Sequence, residues 1–338
     1  MPTLLAAPDK FRGSASAPEV AAAIAAAAAQ VGWSCVQLPL ADGGEGTLDA
    51  FGGANRTTTV TGPLGRPVDA PWRMGDDGVA VVESAHASGL VLAGGAEGND
   101  PMGATSRGTG ELVAAAITEG ARRVIVSLGG SATTDGGFDT VEVLEAFAPF
   151  DGRDGRPDVL VACDVRTTFR DAAVVFGPQK GATPEQIVEL TGRLDRLAAL
   201  YRKRYGIDLA TVDGSGAAGG LGGALAALGG RLVPGFALIA EHTGLADAVR
   251  TADAVVTGEG KMDAESFNGK VVGGVLELAR QHGVPALVVA GVVDDEVAAR
   301  ATHVSLLAEF GSEAAWGDPL GCIERAAAGW LRREEARP

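Results

Sequence analysis

The chain has 338 residues, a formal charge of −15 and 46% apolar residues, with only 5% aromatic. That length suits two domains better than one, because a single core stops growing near ~250–300 residues. The acidic balance excludes nucleic acid and anionic membranes as partners, which leaves small molecules, anionic ones included where basic residues cluster locally.

No apolar run reaches the ~18 residues of a membrane span. The N-terminus lacks the basic region of a secretion signal, so the expectation is a cytoplasmic protein. Cys35, Cys163 and Cys322 stand singly in apolar runs and read as small buried thiols of a reducing compartment. Fifty glycines without a collagen period point to many tight loops.

Residues 3–7 read as an apolar strand running into Pro8-Asp-Lys-Phe-Arg-Gly-Ser14. Ser16 caps a helix through residue 29, with Pro18 and Glu19 in its first turn. Residues 34–38 form the next strand, followed by Leu40-Ala-Asp-Gly-Gly-Glu-Gly46 and a short helix over 47–51. This βαβα order is a parallel-sheet signature. Residues 57–61, 68–74 and 79–84 are shorter strands joined by Gly/Pro/Asp turns, which predicts antiparallel pairing. A helix over 109–119 precedes a strand over 122–128 and the loop Gly129-Gly-Ser-Ala-Thr-Thr-Asp-Gly-Gly137. Weak helix over 138–148, a polar loop over 151–158 and a strand over 159–163 come next. Thr183 caps a helix through residue 200, with Pro184 and Glu185 in its first turn. After the glycine-dense stretch 214–230 the alternation resumes. Strands are expected over 253–257, 286–290 and 304–307, and helices from 271, from 294 and over 319–333. The ends of the chain therefore read as one parallel-sheet domain, residues 1–60 and 240–338. Residues 61–239 read as an inserted α/β domain with a mixed sheet.

Several loops carry candidate chemistry. Thr257-Gly-Glu-Gly260 ends an apolar run, and its glycines predict a tight turn before Lys261, Asp263, Glu265 and Lys270. Gly214-Ser-Gly-Ala-Ala-Gly219 matches a dinucleotide fingerprint in form. Its lead-in, 207–212, is a poor strand, and no acidic residue ends a following strand, so the NAD reading is set aside. Its exposed amides could still hold an anion, in competition with helix packing through small residues. Asp42 and Glu45 are spaced for a Mg²⁺-water cluster or acid/base work, with helix capping as the simpler role. Lys10, Arg12, Lys180, Lys261 and Lys270 fall where strands end. The four histidines lack any spacing for zinc or for a nucleophile's base. This inventory of amides, cations and lone carboxylates suits phosphoryl transfer.

The motifs Ala7-Pro-Asp-Lys-Phe-Arg-Gly-Ser14, Pro39-Leu-Ala-Asp-Gly-Gly-Glu-Gly46 and Thr61-Gly-Pro-Leu-Gly65 resemble glycerate kinases of the type 1 family. So do Gly108-Thr-Gly-Glu111, Gly129-Gly-Ser-Ala-Thr133 with Asp135-Gly-Gly137, Val175-Phe-Gly-Pro-Gln-Lys-Gly-Ala182, residues 214–222, and Thr257-Gly-Glu-Gly260 through Gly269-Lys270. They occur in family order over residues 3–295. The resemblance implies ATP- and Mg²⁺-dependent phosphorylation of glycerate by a two-domain α/β enzyme, with a Rossmann- or flavodoxin-like discontinuous domain and its site in the cleft between domains. On the matching motifs, Asp135 is the expected base, with Asp42 the alternative. Lys270, Lys10, Arg12, Ser14 and Lys180 would meet substrate carboxylate or phosphate, as would the amides of Gly130, Ser131, Gly214, Ser215 and Gly216. Mg²⁺ would be held by phosphates plus one or two of Asp42, Glu45, Asp164 and Glu259. The chain departs from the family at Lys10 and Arg12, at Thr134, at Val165-Arg-Thr-Thr-Phe169 and at Glu265-Ser-Phe267, and residues 137–159 are shortened. These departures leave the acceptor open. They also motivate a competing reading, a descendant that binds nucleotide or hydroxy acid without transferring phosphate.

Overall fold

In the computed structural model, which describes residues 1–335, eleven strands form two sheets. In chain order they are β1 Thr3–Ala6, β2 Ser34–Gln37, β3 Arg56–Thr61, β4 Pro67–Met74, β5 Val79–Glu83 and β6 Arg123–Ser127. Then follow β7 Asp158–Ala162, β8 Arg231–Val233, β9 Ala254–Met262, β10 Ala286–Val293 and β11 His303–Ser305. The chain divides into two units. Unit 1 comprises residues 1–42, 49–51 and 236–338, and unit 2 residues 43–48 and 52–235. The boundaries expected from the sequence, 60 and 240, compare with 42–52 and 235 here.

Unit 1 holds an all-parallel sheet in the order β11-β10-β9-β1-β2. Counted within the unit this is the flavodoxin-like order 2-1-3-4-5, whose direction reverses between β1 and β9. Helix Ala17–Gln30 starts where Ser16 and Glu19 form a capping box, and it buries Val20 and Ile24. They pack with Leu4, Val256, Leu287, Val289 and Trp330 in the core of this unit.

Unit 2 holds the sheet β3-β4-β5-β6-β7-β8. β4 runs antiparallel to β3 and β5, as the close strand spacing predicts, and β5 to β8 are parallel. The long helix Pro184–Tyr205 has a Thr183/Gln186 capping box and ends at Gly206 in the left-handed region. It packs Leu190, Leu194 and Tyr201 into a core with Phe169, Trp72 and Phe150.

The local reading errs in several places. β9 does not end at Thr257 but runs on to Met262, paired with β10 as far as Val293. Gly258 serves close approach rather than a turn: a Cβ there would lie 2.2 Å from the Val289 carbonyl oxygen. No helix starts at Asp294. Its amide closes onto the Met262 carbonyl at 3.0 Å, and the short stretch 294–302 leads directly to β11 with one 3-10 turn, Ala298–Arg300. Strand β8 and helix Leu306–Gly317 were not expected. Cys322 is buried as read, whereas Cys35 and Cys163 are half-buried. Among the described residues no helix is long and apolar enough to cross a membrane.

Candidate active site

At the β1/β9 reversal, the carboxyl ends of the unit 1 strands open into a cavity of about 550 Å³. This is where open α/β sheets bind ligands. Six of the expected site residues line it: Lys10, Arg12, Ser14, Asp42, Glu259 and Lys270. Asp9, which the sequence reading passed over, lines it too and is only 8% exposed. Its position directly after β1 was the available signal. Burial pushes the Asp9 carboxyl up to about 6, with Asp42 adding to the rise and Lys10 and Lys270 opposing it. Burial likewise pushes Glu259 up to about 7, reinforced by Asp9 and opposed by Ser266 and Lys270. Glu259 Oε1 is buried without a hydrogen-bond partner. The site thus concentrates negative charge and holds basic residues against it. An apolar wall of Leu306, Leu307, Ala315, Trp316 and Pro319 completes the cavity.

In unit 2 the loop after β6 is built around Asp135 and Lys180. Asp135 Oδ2 accepts from the Ser106 amide at 2.8 Å and the Ser106 hydroxyl at 2.7 Å, and Oδ1 accepts from the Gly137 amide at 3.0 Å. Burial raises its pKa, and those donors pull it back. Lys180 Nζ donates to Ser131 Oγ at 2.9 Å and to the Thr133 carbonyl at 2.6 Å. Only 2% of Lys180 is exposed, and burial pulls its ammonium down to about 7, with Asp135 working against the shift. Glu45 packs on this loop, since a Cβ added to Gly130 would meet Glu45 Oε1 at 2.5 Å. Glu83, another buried carboxylate absent from the sequence reading, accepts from the Leu48 amide at 2.5 Å and so ties residues 43–48 to β5.

The Lys180 shift has a thermodynamic consequence. Its folded pKa lies below the unfolded value of ~10.4, so the unfolded state binds more protons between about 7 and 10. The burial penalty is complete below pH 7 and is relieved as pH rises through that window. Between pH 6.5 and 8.5 this group should add on the order of 2 kcal/mol to stability. Urea unfolding of the parent and of Lys180→Met at both pH values checks it, because the difference between them cancels the other titrating groups. Equal pH slopes would mean that Lys180 stays charged when buried.

The remaining expected residues fall elsewhere. The Ser215 and Gly216 amides are spent within the chain, and Gly214 stands beside them at φ +80°. The Ser215 amide donates to Val212, that of Gly216 to Thr167 and that of Ala217 to Gly214. Ser215 Oγ donates to the Leu209 carbonyl at 2.8 Å and accepts from the Phe169 amide at 2.9 Å. The segment is a packing element. A Cβ at Gly219 (φ +67°) would lie 2.0 Å from the Thr133 carbonyl oxygen, so glycine is what lets it touch the Asp135 loop. Asp164 caps the chain at Gly235, accepting from its amide at 2.9 Å. Among the described residues no group of three or more His, Cys, Asp or Glu is arranged to hold a metal.

A second cavity, of about 700 Å³, lies in unit 2 at the amino ends of β5 to β8. This is the edge opposite to where such sheets bind ligands. Its Arg123 and Arg231 pair with Asp158, and its Arg156 pairs with Asp151.

Comparison with known proteins gives the family. The "Glycerate 2-kinase" of Escherichia coli K12 is 39% identical over 329 aligned positions, spanning 87% of this chain and 86% of that protein. The "Glycerate kinase" of Halalkalibacterium halodurans is 37% identical, spanning 86% of each chain. The crystal structure of a candidate glycerate kinase 2 from Salmonella typhimurium LT2 superposes with a TM-score of 0.80 at 33% identity, covering 99% of both chains. The family described as "Glycerate kinase family" matches residues 4–153 and 147–318, two segments that meet inside the shortened stretch. The chain belongs to the glycerate kinase family, as a shortened member.

Proposed function

We propose that this chain transfers the γ-phosphoryl group of ATP to the 2-hydroxyl of glycerate, giving 2-phosphoglycerate. The observation that carries this reading is the unit 1 cavity, where Lys10, Arg12 and Lys270 stand with Asp9, Asp42 and Glu259 at the sheet's reversal point. Phosphoryl transfer needs mainly positioning and charge stabilisation, which such a set supplies. The hydroxyl oxygen forms a bond to the γ-phosphorus while the bond from that phosphorus to the β–γ bridging oxygen breaks, and the bridging oxygen leaves with ADP. Lys270, Lys10 and Arg12 hold the transferring phosphoryl group. The hydroxyl proton passes to Asp42, which lines the open cavity. Asp135 is the weaker choice for that role, because both its oxygens already accept protein hydrogen bonds. We assign Asp135 and Lys180 to holding the loop after β6 in shape.

The cavity also fits Mg²⁺, which typically takes one or two carboxylates and keeps several waters. Glu259, with its unpartnered buried oxygen, and Asp9 beside it would hold the ion. Bound there, Mg²⁺ supplies neutralisation of phosphate charge.

The 2-position rests on the name of the Escherichia coli relative. A coupled ADP-release assay over a panel of small hydroxy acids, with the product read by phosphorus NMR, tests both parts. Glycerate should be the best acceptor, and the product phosphate should couple to a methine proton. Coupling to a methylene would move the phosphate to the 3-hydroxyl and leave the kinase reading intact. ATP binding without ADP release from any acceptor would replace it with the non-catalytic binder.

A further inference from the structure

The unit 1 cavity has two kinds of wall. The loops after β1 and around β9 supply the charged one, and the segment Leu306 to Pro319 supplies the apolar one. On the apolar wall Trp316 is 67% exposed, whereas Trp33, Trp72 and Trp330 are at most 8% exposed. An indole standing open on a cavity wall offers a flat apolar face that a ligand can cover. The helix that carries it, Leu306–Gly317, is broken at Gly311 (φ 78°, ψ 165°). That conformation is essentially open to glycine alone, and it sets the direction of the segment bearing Ala315 and Trp316. Glycerate is a small polar anion with nothing to match such a wall. A nucleotide carries a flat aromatic base at one end and a run of anionic phosphates at the other, so it needs both walls at once.

We infer that the unit 1 cavity is the nucleotide site, with the purine stacked on Trp316 and the phosphates directed to Lys10, Arg12 and Lys270. Stacking on an indole face tolerates any base, so Trp316 sets affinity more than base choice. The kinase reading enters only in naming ATP as the nucleotide.

Trp316 is the one widely exposed tryptophan among the described residues, so its fluorescence reports the site directly. Titrating the parent with ATP or ADP should quench emission, and Trp316→Phe should lose the quench while calorimetry shows affinity within about 3-fold of the parent. Trp316→Ala should weaken ATP about 10-fold, in Kd by calorimetry and in KM for ATP, with KM for glycerate unchanged. An exposed side chain can be replaced without unfolding the chain, which a thermal melt verifies. An unchanged ATP Kd in Trp316→Ala overturns the assignment. A rise confined to the KM for glycerate does so equally. Loss of an oligomer in that variant by light scattering, with ATP affinity intact, would overturn it by making Trp316 a subunit contact. Trp316-dependent ATP binding without phosphoryl transfer to any acceptor would sink the kinase reading and leave the nucleotide site standing.

Discussion

Lys270→Ala should lower kcat for glycerate-dependent ADP release at least ~100-fold, the scale of losing one charge-stabilising group aimed at a developing anion. Lys270 stands at the N-cap of helix Val271–His282, so its ammonium adds to the positive end of the helix dipole on the cavity. Its ion pair with Glu265, at 3.4 Å and with the glutamate 77% exposed, is of the kind that contributes little to stability. Its removal takes a positive charge away from a cavity that also holds Asp9 and Glu259, which leaves that cavity more repulsive to phosphate. Lys270→Arg keeps the charge and should recover part of the rate. The alanine variant should melt within about 1 °C of the parent, because the hydrogen bond it loses is to the exposed Glu265. A variant as active as the parent would remove Lys270 from the site and with it the phosphate-binding role of this cavity wall.

Asp135→Asn should act through structure as well as rate. Three donors from Ser106 and Gly137 converge on the carboxylate, and asparagine replaces one acceptor oxygen with an NH₂ group. Donor then faces donor in a buried site, which costs roughly 2–4 kcal/mol. The expected result is a lower urea midpoint together with a kcat reduced at least ~100-fold, as the Ser131–Thr133 stretch loses the frame that Lys180 completes. Circular dichroism during urea unfolding measures the first part and the ADP-release assay the second. If stability is unchanged while kcat collapses, Asp135 is the base and Asp42 is not.

These two residues show where sequence reading works and where it stops. Lys270 ends a motif and begins a helix, so its placement at a sheet's ligand edge follows from local pattern. The role of Asp135 depends on Ser106 and Gly137, and that of Lys180 on Ser131 and Thr133, partners up to 49 positions away along the chain. No window of periodicity contains them. The glycines of 214–222 show the same limit. Their spacing admits an anion cradle or a packing surface, and only the closeness of the Thr133 carbonyl to Gly219 decides for packing.

The sequence by itself determined the two-part α/β plan, the capped helices after Ser16 and Thr183, the antiparallel pairing of the 57–84 strands and membership of the kinase family. These follow from short-range chemistry: caps, alternation, turn residues and motif order. The tertiary structure alone decided that Thr257-Gly-Glu-Gly260 is not a turn. Pairing along β10 holds it extended, and the absent Cβ of Gly258 lets the two backbones meet. It alone brought Asp9, Asp42, Glu259, Lys270 and Trp316 to one cavity. A strand's conformation depends on the neighbour that supplies its hydrogen bonds, and a cavity is defined by segments distant in sequence. Both are properties of assembled elements, which composition and local pattern do not carry.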